Sequence, residues 1–148
     1  MQKLGYGNKP TSGGVLAIFF IFAVYSPAAT ATEVIVNRSV PIADYSTVDI
    51  RTIFTMQKRF WPNHRQIKVY ILSDSNPFHK DFVKNILHMF PHQIRKIWDR
   101  MTYSGTGSAP IELGSEQEMI DQIADTPDSI GYLNSKPDNE NIRSLEHH

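Results

Sequence analysis

Short β-branched runs alternate along this sequence with stretches whose apolar residues recur at helical spacing, and that alternation restricts the fold more than any other feature. Val34-Ile35-Val36 is wholly apolar, as a strand buried on both faces requires. Ser46 opens a helix with Asp49 three residues on, and Ile50, Ile53 and Phe54 follow at helical spacing. That helix is expected to stop before the turn-forming Trp61-Pro62-Asn63-His64. Ile67 to Leu72 reads as a second strand. Asn76 then caps a helix with Pro77 in its first position, and Phe78, Phe82, Val83, Ile86, Leu87 and Phe90 mark its apolar face. Pro91 ends it and starts another, carried by Ile94, Ile97, Trp98 and Met101. After a loop from Ser104 to Pro110, Ile111 to Leu113 suits a minor strand, and Ser115 with Glu118 forms a capping box ahead of Met119, Ile120 and Ile123. Ile130 to Leu133 is the last strand, and from Asn134 the chain is polar and expected to fray. Strands separated by helices imply an α/β domain with a largely parallel sheet. Phe78, Phe82, Ile86, Ile94, Ile97, Trp98, Ile120, Ile123 and Ile130 are expected to share its core.

Both ends read as lying outside that domain. Lys3 and Lys9 precede the apolar run Val15 to Tyr25, and Ser26 to Ala31 supplies small residues of the Ala-x-Ala kind, so residues 1–31 read as a secretory signal cleaved after Ala31. The run is eleven residues long. A spanning helix needs about twenty, so no permanent membrane anchor is expected. Leu145 to His148 reads as the remnant of a purification tag. Between these ends, residues 32–133 form the domain and 134–144 a polar tail; the 113 residues from Thr32 to Ser144 suit one domain. A composition of 41% hydrophobic and 20% charged residues fits a packed core. The absence of cysteine excludes disulfides, thiol catalysis and Cys-based metal sites. Formal charge is zero, yet Arg38 to Arg100 carries +6 and Met101 to Ser144 carries −6. Export argues against a nucleic-acid partner for the basic stretch, and the two segments are expected to pack side by side.

Ser73-Asp74-Ser75-Asn76, between the second strand and the helix at Pro77, is the first candidate site. In α/β sheets ligands bind beyond the carboxyl ends of strands, and a helix start offers N–H donors and a positive dipole to an anion. Capping alone also accounts for Ser and Asn there. Asp74 repels a dianion but can accept the proton of a hydrogen phosphate. A second candidate is Arg100 with Ser104-Gly105-Thr106, a Gly-rich turn near a cation but without the Gly-Lys-Ser/Thr of a P-loop. His88 and His92 are separated by Pro91, no HExxH or Gly-x-Ser-x-Gly pattern occurs, and neither metal, cofactor nor catalysis is expected.

Asp49-Ile50-Arg51-Thr52-Ile53-Phe54 followed by Arg59-Phe60-Trp61-Pro62 resembles the L-x-x-I-F-x-G … W-x-D-G segment of periplasmic phosphate-binding proteins, the capture subunits of ABC phosphate importers. Ala124 to Leu133, with Thr126-Pro127-Asp128-Ser129-Ile130-Gly131-Tyr132 at its centre, is similar to that family's V-x-x-T-P-G-A-I-G-Y-V. With Trp98 and the turn at Gly105, the resemblance covers about Val34 to Leu133. It implies a three-layer α/β sandwich, a single lobe of the type 2 periplasmic-binding-protein fold. In the family's lobe an Arg and a Ser-Gly-Thr turn at a helix start hold phosphate. The corresponding stretch here is Leu72 to Pro77, where Ser75 stands for the serine, Asn76 and Pro77 replace Gly and Thr, and no Arg precedes them. Arg100 before Ser104-Gly105-Thr106 imitates the motif's spacing later in the chain. The resemblance implies a periplasmic or secreted, non-enzymatic module that binds phosphate or a related oxyanion for an ABC-type transport system. Its alternative is a ligand-less lobe serving as a protein-interaction domain in an envelope transport or signalling complex.

Overall fold

The computed structural model describes residues 2–5, 7–8, 10, 13, 32–135 and 137–148. The apolar run Val15 to Tyr25 and the cleavage site at Ala31 lie outside the described residues. Among the described residues, five strands and four helices follow in the order β1 (Glu33–Asn37), α1 (Thr47–Phe54), β2 (Lys68–Leu72), α2 (Pro77–Asn85), α3 (Pro91–Ser104), β3 (Ile111–Leu113), α4 (Glu116–Asp125), β4 (Ser129–Leu133) and β5 (Ile142–Ser144). One sheet has the strand order β3-β2-β4-β1-β5. β2 runs parallel to β3 and β4, whereas β1 runs antiparallel to β4 and β5. The sheet is therefore mixed where a largely parallel one was expected. The β1 run is buried on both faces in either sense, so its apolar residues carry no sign of strand direction.

Alternation along β4 sorts the helices into layers. Gly131 faces α4, and a Cβ there would overlap Met119 Sδ and crowd Ile123. Tyr132 faces the other way, stacking on Phe82 of α2 at 3.8 Å and tilting against Phe54 of α1 at 6.0 Å. Phe54 and Phe82 meet edge to face at 4.7 Å. Trp98 of α3 joins this layer by donating its indole N–H to the Phe54 carbonyl at 2.9 Å. The result is α4 on one face and α1 to α3 on the other, a three-layer α/β fold.

Local chemistry explains most boundaries and the departures from expectation. Ser46 and Asp49 make a reciprocal capping box on α1. That helix ends at Phe54, well short of Trp61, because Thr55 turns its hydroxyl onto the Arg51 carbonyl and Met56 takes a left-handed φ of 61°. α2 also ends early. Pro91 forces Phe90 into an extended conformation, His88 adopts φ 51°, and Phe90 is left exposed instead of lying on the apolar face. Ser115 accepts the Glu118 N–H, while the Glu118 carboxylate takes the Gly114 N–H, so the box at α4 is not reciprocal. Phe82, Ile94, Trp98, Ile123 and Ile130 are buried, and Phe78, Ile86 and Ile120 pack partly buried against them, whereas Ile97, also expected in the core, is half-buried and lies outside this cluster.

Residues 134–144, expected to fray, instead supply β5. Ile142 is buried, the Leu145 N–H donates to the Val34 carbonyl at 2.8 Å, and the Arg38 N–H to the Asn141 carbonyl at 2.8 Å. The open edge of β1 provides unpaired backbone groups, and pairing them outweighs the polarity of the tail. Asp128 occupies the turn before β4 with φ 64°, a conformation that favours glycine. Its N–H is held by Ser39 Oγ at 2.8 Å, its carbonyl by the Trp61 indole at 3.0 Å, and its carboxylate by Arg65 at 2.8 Å. Those contacts stabilise a backbone that most side chains resist.

Two substitutions test this packing in urea unfolding. Phe82→Ala is expected to cost about 3–5 kcal/mol, since the ring is fully buried between Phe54 and Tyr132. Gly131→Ala should cost about 1–3 kcal/mol through overpacking against Met119. A loss below about 0.5 kcal/mol for either, the usual surface result, would contradict the layer assignment.

Candidate functional site

The four residues Ser73-Asp74-Ser75-Asn76 form a tight link between the carboxyl end of β2 and the start of α2. The Asn76 N–H donates to the Ser73 carbonyl at 2.8 Å, and the Asn76 side chain caps α2 by accepting the Phe78 N–H at 2.9 Å. Ser73 and Ser75 share one hydrogen bond between their hydroxyls at 3.1 Å. One hydroxyl proton therefore remains free to donate outward. Pro77 has no N–H, so this helix start offers fewer backbone donors than most.

Arg95, which sequence reasoning missed, supplies the cation. Its Nε and Nη2 donate to the two Asp74 oxygens at 2.7 Å each, and Nη2 also reaches Glu112 Oε2 at 3.2 Å. Trp98 steadies it from below, with the guanidinium carbon 5.1 Å from the ring centroid. The bidentate bonds from Arg95 hold the Asp74 carboxyl below the usual carboxylate range, against partial burial that pushes it up. The same bonds raise the Arg95 guanidinium. Both groups are partly exposed, at 42% and 32% of the side chain, so solvent screens the pair and its geometry matters more than its strength.

His79 lies behind Asp74 and is fully buried. Its Nδ1 is 2.6 Å from the Tyr132 hydroxyl, which also accepts the Leu72 N–H at 2.8 Å. Its Nε2 is 3.3 Å from Asp74 Oδ1, close enough for an ion pair but without the angle of a hydrogen bond. Burial pushes the imidazole below its ordinary value, with Asp74 pulling in the opposite direction. Burial likewise raises the Tyr132 phenol. His79 is legible in principle: with Phe82, Val83 and Ile86 it completes an i, i+3, i+4, i+7 stripe, one residue on from Phe78. Arg95 had no such signal, because nothing in the spacing links residue 74 to residue 95.

The second candidate group lies elsewhere. Arg100, Ser104, Gly105 and Thr106 sit at the carboxyl end of α3, where Gly105 is the left-handed cap with φ 66°. Ser104 bonds the Met101 carbonyl and the Thr106 hydroxyl, and the Thr106 carbonyl accepts from Arg59 Nη2 at 2.8 Å. The helix dipole presents partial negative charge there, which disfavours an anion. No hydrogen bond or ion pair among the described residues connects this group to Ser73–Asn76. A cavity of about 590 Å³ opens toward the opposite edge of the sheet, between Pro41–Tyr45 and Arg143–His148, away from both groups. Among the described residues no cluster of three metal-ligating side chains occurs and no helix is long and apolar enough to cross a membrane.

The depressed His79 imidazole has a measurable consequence. A histidine that titrates lower when folded contributes stability above its unfolded value, near 6.5, and loses it as pH falls, because the unfolded chain takes up a proton that the folded chain refuses. The urea midpoint is therefore expected to drop between pH 7.5 and 5.5, and to drop less in His79→Gln. A midpoint that rises on acidification in this range would contradict the buried neutral ring.

No family model and no curated protein matches the sequence. Solved structures do match the fold. A phosphate ABC transporter substrate-binding protein with bound phosphate from Clostridium perfringens superposes with a TM-score of 0.62 at 13% identity, over 78% of this chain and 44% of that one. An ABC-type phosphate transport receptor from Vibrio cholerae gives 0.58 at 11%, over 78% and 45%. PstS from Borrelia burgdorferi gives 0.51 at 18%, over 70% and 40%. The chain spans less than half the length of these proteins, and its fold is that of a single lobe of a periplasmic-binding protein.

Proposed function

We propose that this chain is an exported, single-lobe substrate-binding module that holds hydrogen phosphate or a related protonated oxyanion at the Ser73–Asn76 turn, in the service of an ABC-type transport system. The observation that carries the reading is Arg95, a guanidinium brought by a different helix to a hydroxyl-bearing turn at the carboxyl end of a strand. The fold likeness to phosphate receptors supports it. Charge shapes the ligand. Asp74 and Glu112 outweigh Arg95, so a fully deprotonated dianion meets net repulsion. An oxyanion that presents a proton to Asp74 while accepting from Arg95 and a serine hydroxyl offsets part of it.

Binding on one side of the anion leaves its other side in water. Charge-assisted hydrogen bonds contribute about 1.5–3 kcal/mol each, and two or three of them must offset desolvation and ordering. A Kd near the millimolar range follows, about −4 kcal/mol. In calorimetric or chemical-shift titration, Ser75→Ala is expected to weaken phosphate binding, Arg95→Ala to weaken it more, and Asn76→Ala least, while Arg100→Ala leaves it unchanged. No heat or shift with several millimolar phosphate would end this reading.

A second reading is a lobe that binds a protein of an envelope transport or signalling complex. It is favoured by exposed Ile111 on the unpaired edge of β3, with Phe60, Phe90 and Tyr103 also exposed. Failure of the phosphate titration makes this the better account. Export rests on residues 1–31. Mass measurement of the native protein is expected to give an N-terminus at Thr32, and a mature chain retaining Val15 to Tyr25 would mean a membrane anchor instead.

A further inference from the structure

His79 has one nitrogen with an obvious duty and one without. The Tyr132 hydroxyl accepts from the Leu72 N–H, and its own proton, donated to His79 Nδ1, satisfies all three buried groups at once. The reverse direction would leave a hydroxyl proton unpaired inside the core. This fixes the ring proton of the neutral imidazole on Nε2. That N–H is fully buried and has no hydrogen-bond partner among the described residues. It points toward Asp74 Oδ1 at 3.3 Å, but both Asp74 oxygens are engaged by Arg95 at 2.7 Å. The groups facing the ring are Asp74 from the turn, Arg95 from α3, Glu112 from β3 and Tyr132 from β4, with the Trp98 ring 6.2 Å away.

We infer that Asp74 has two alternative holders, Arg95 and His79, and that His79 is a positioning residue which takes the carboxylate when a ligand takes the guanidinium. The inference rests on the oxyanion reading for the identity of the ligand. An oxyanion at the serine hydroxyls competes for Arg95, and a small rotation of Asp74 brings Oδ1 into line with Nε2–H. The exchange satisfies the unpaired donor as it breaks the Asp74–Arg95 bonds, so the release of Arg95 is partly compensated. It also explains why a site with net negative charge can free the Arg95 guanidinium. Tyr132 acts through the same ring, since its hydroxyl fixes which nitrogen carries the proton.

The test is imidazole N–H spectroscopy on the full chain labelled with ¹⁵N-histidine, His79 being assigned through its contacts with Tyr132. In Arg95→Ala, with no ligand added, the Nε2–H resonance is expected to move downfield and to exchange more slowly with water. An unchanged resonance overturns the two-holder arrangement. Inorganic phosphate added to the wild type should shift the signal in the same direction. If Arg95→Ala shifts it and several millimolar phosphate does not, the two-holder arrangement stands and the oxyanion reading falls. Phosphate affinity gives a second readout. His79→Gln, whose amide reaches the Nε2 position, should stay within about threefold of wild type, and His79→Asn, which reaches only Tyr132, should lose about tenfold. Equal losses would reduce His79 to a packing role and overturn the inference.

Discussion

The hydroxyl of Tyr132 accepts the backbone N–H of Leu72, and much of the domain is arranged around that bond. Leu72 is the last residue of β2, so the contact fixes where the strand ends and where the Ser73–Asn76 turn begins. The Tyr132 ring meanwhile stacks on Phe82 and leans on Phe54, bringing α2 and α1 onto one face of the sheet. His79 completes the set by bonding the same oxygen. One phenol thus couples strand, turn, two helices and a buried imidazole. The turn's geometry is inherited from the core instead of being set by its own exposed side chains.

The charge asymmetry of the sequence has a structural counterpart. Arg95 meets Glu112 and Arg65 meets Asp128, each pair joining the basic stretch to the acidic one. The Arg95–Glu112 pair is partly exposed and contributes little, whereas Asp128 is buried beneath an exposed Arg65. Their effect is positional: Arg65 braces the strained turn at Asp128, and Arg95 is shared between the candidate site and the edge strand.

Elements with strong local signals were legible in the sequence. The Ser46 and Ser115 caps, Pro77 and Pro91, and the apolar spacing of α3 and α4 all led to the observed helices, because capping and periodicity act over one or two turns. The motif at Thr126 to Leu133 was legible for the same reason: its two glycine-prone positions correspond to the left-handed turn at Asp128 and the close approach of α4 at Gly131. Strand direction was not, since a run buried on both faces reads alike either way. β5 was hidden because Ile142 is an isolated apolar residue in a polar stretch, and only the open edge of β1 gives it a partner. The candidate site was half visible. Its turn is local, whereas Arg95, Glu112 and Tyr132 reach it through the tertiary fold.

β5 also bears on how the protein behaves among its own copies. β1 is apolar on both faces, and without β5 its outer edge would present an unpaired, flat, β-branched strand to the solvent. Such an edge is a template for strand addition from neighbouring molecules, and Val-Ile-Val is the kind of run that stacks into cross-β assemblies. Three residues near the end of the chain therefore act as a guard on colloidal stability. Proteolytic trimming there would uncover the apolar edge of β1 and leave it open to strand addition.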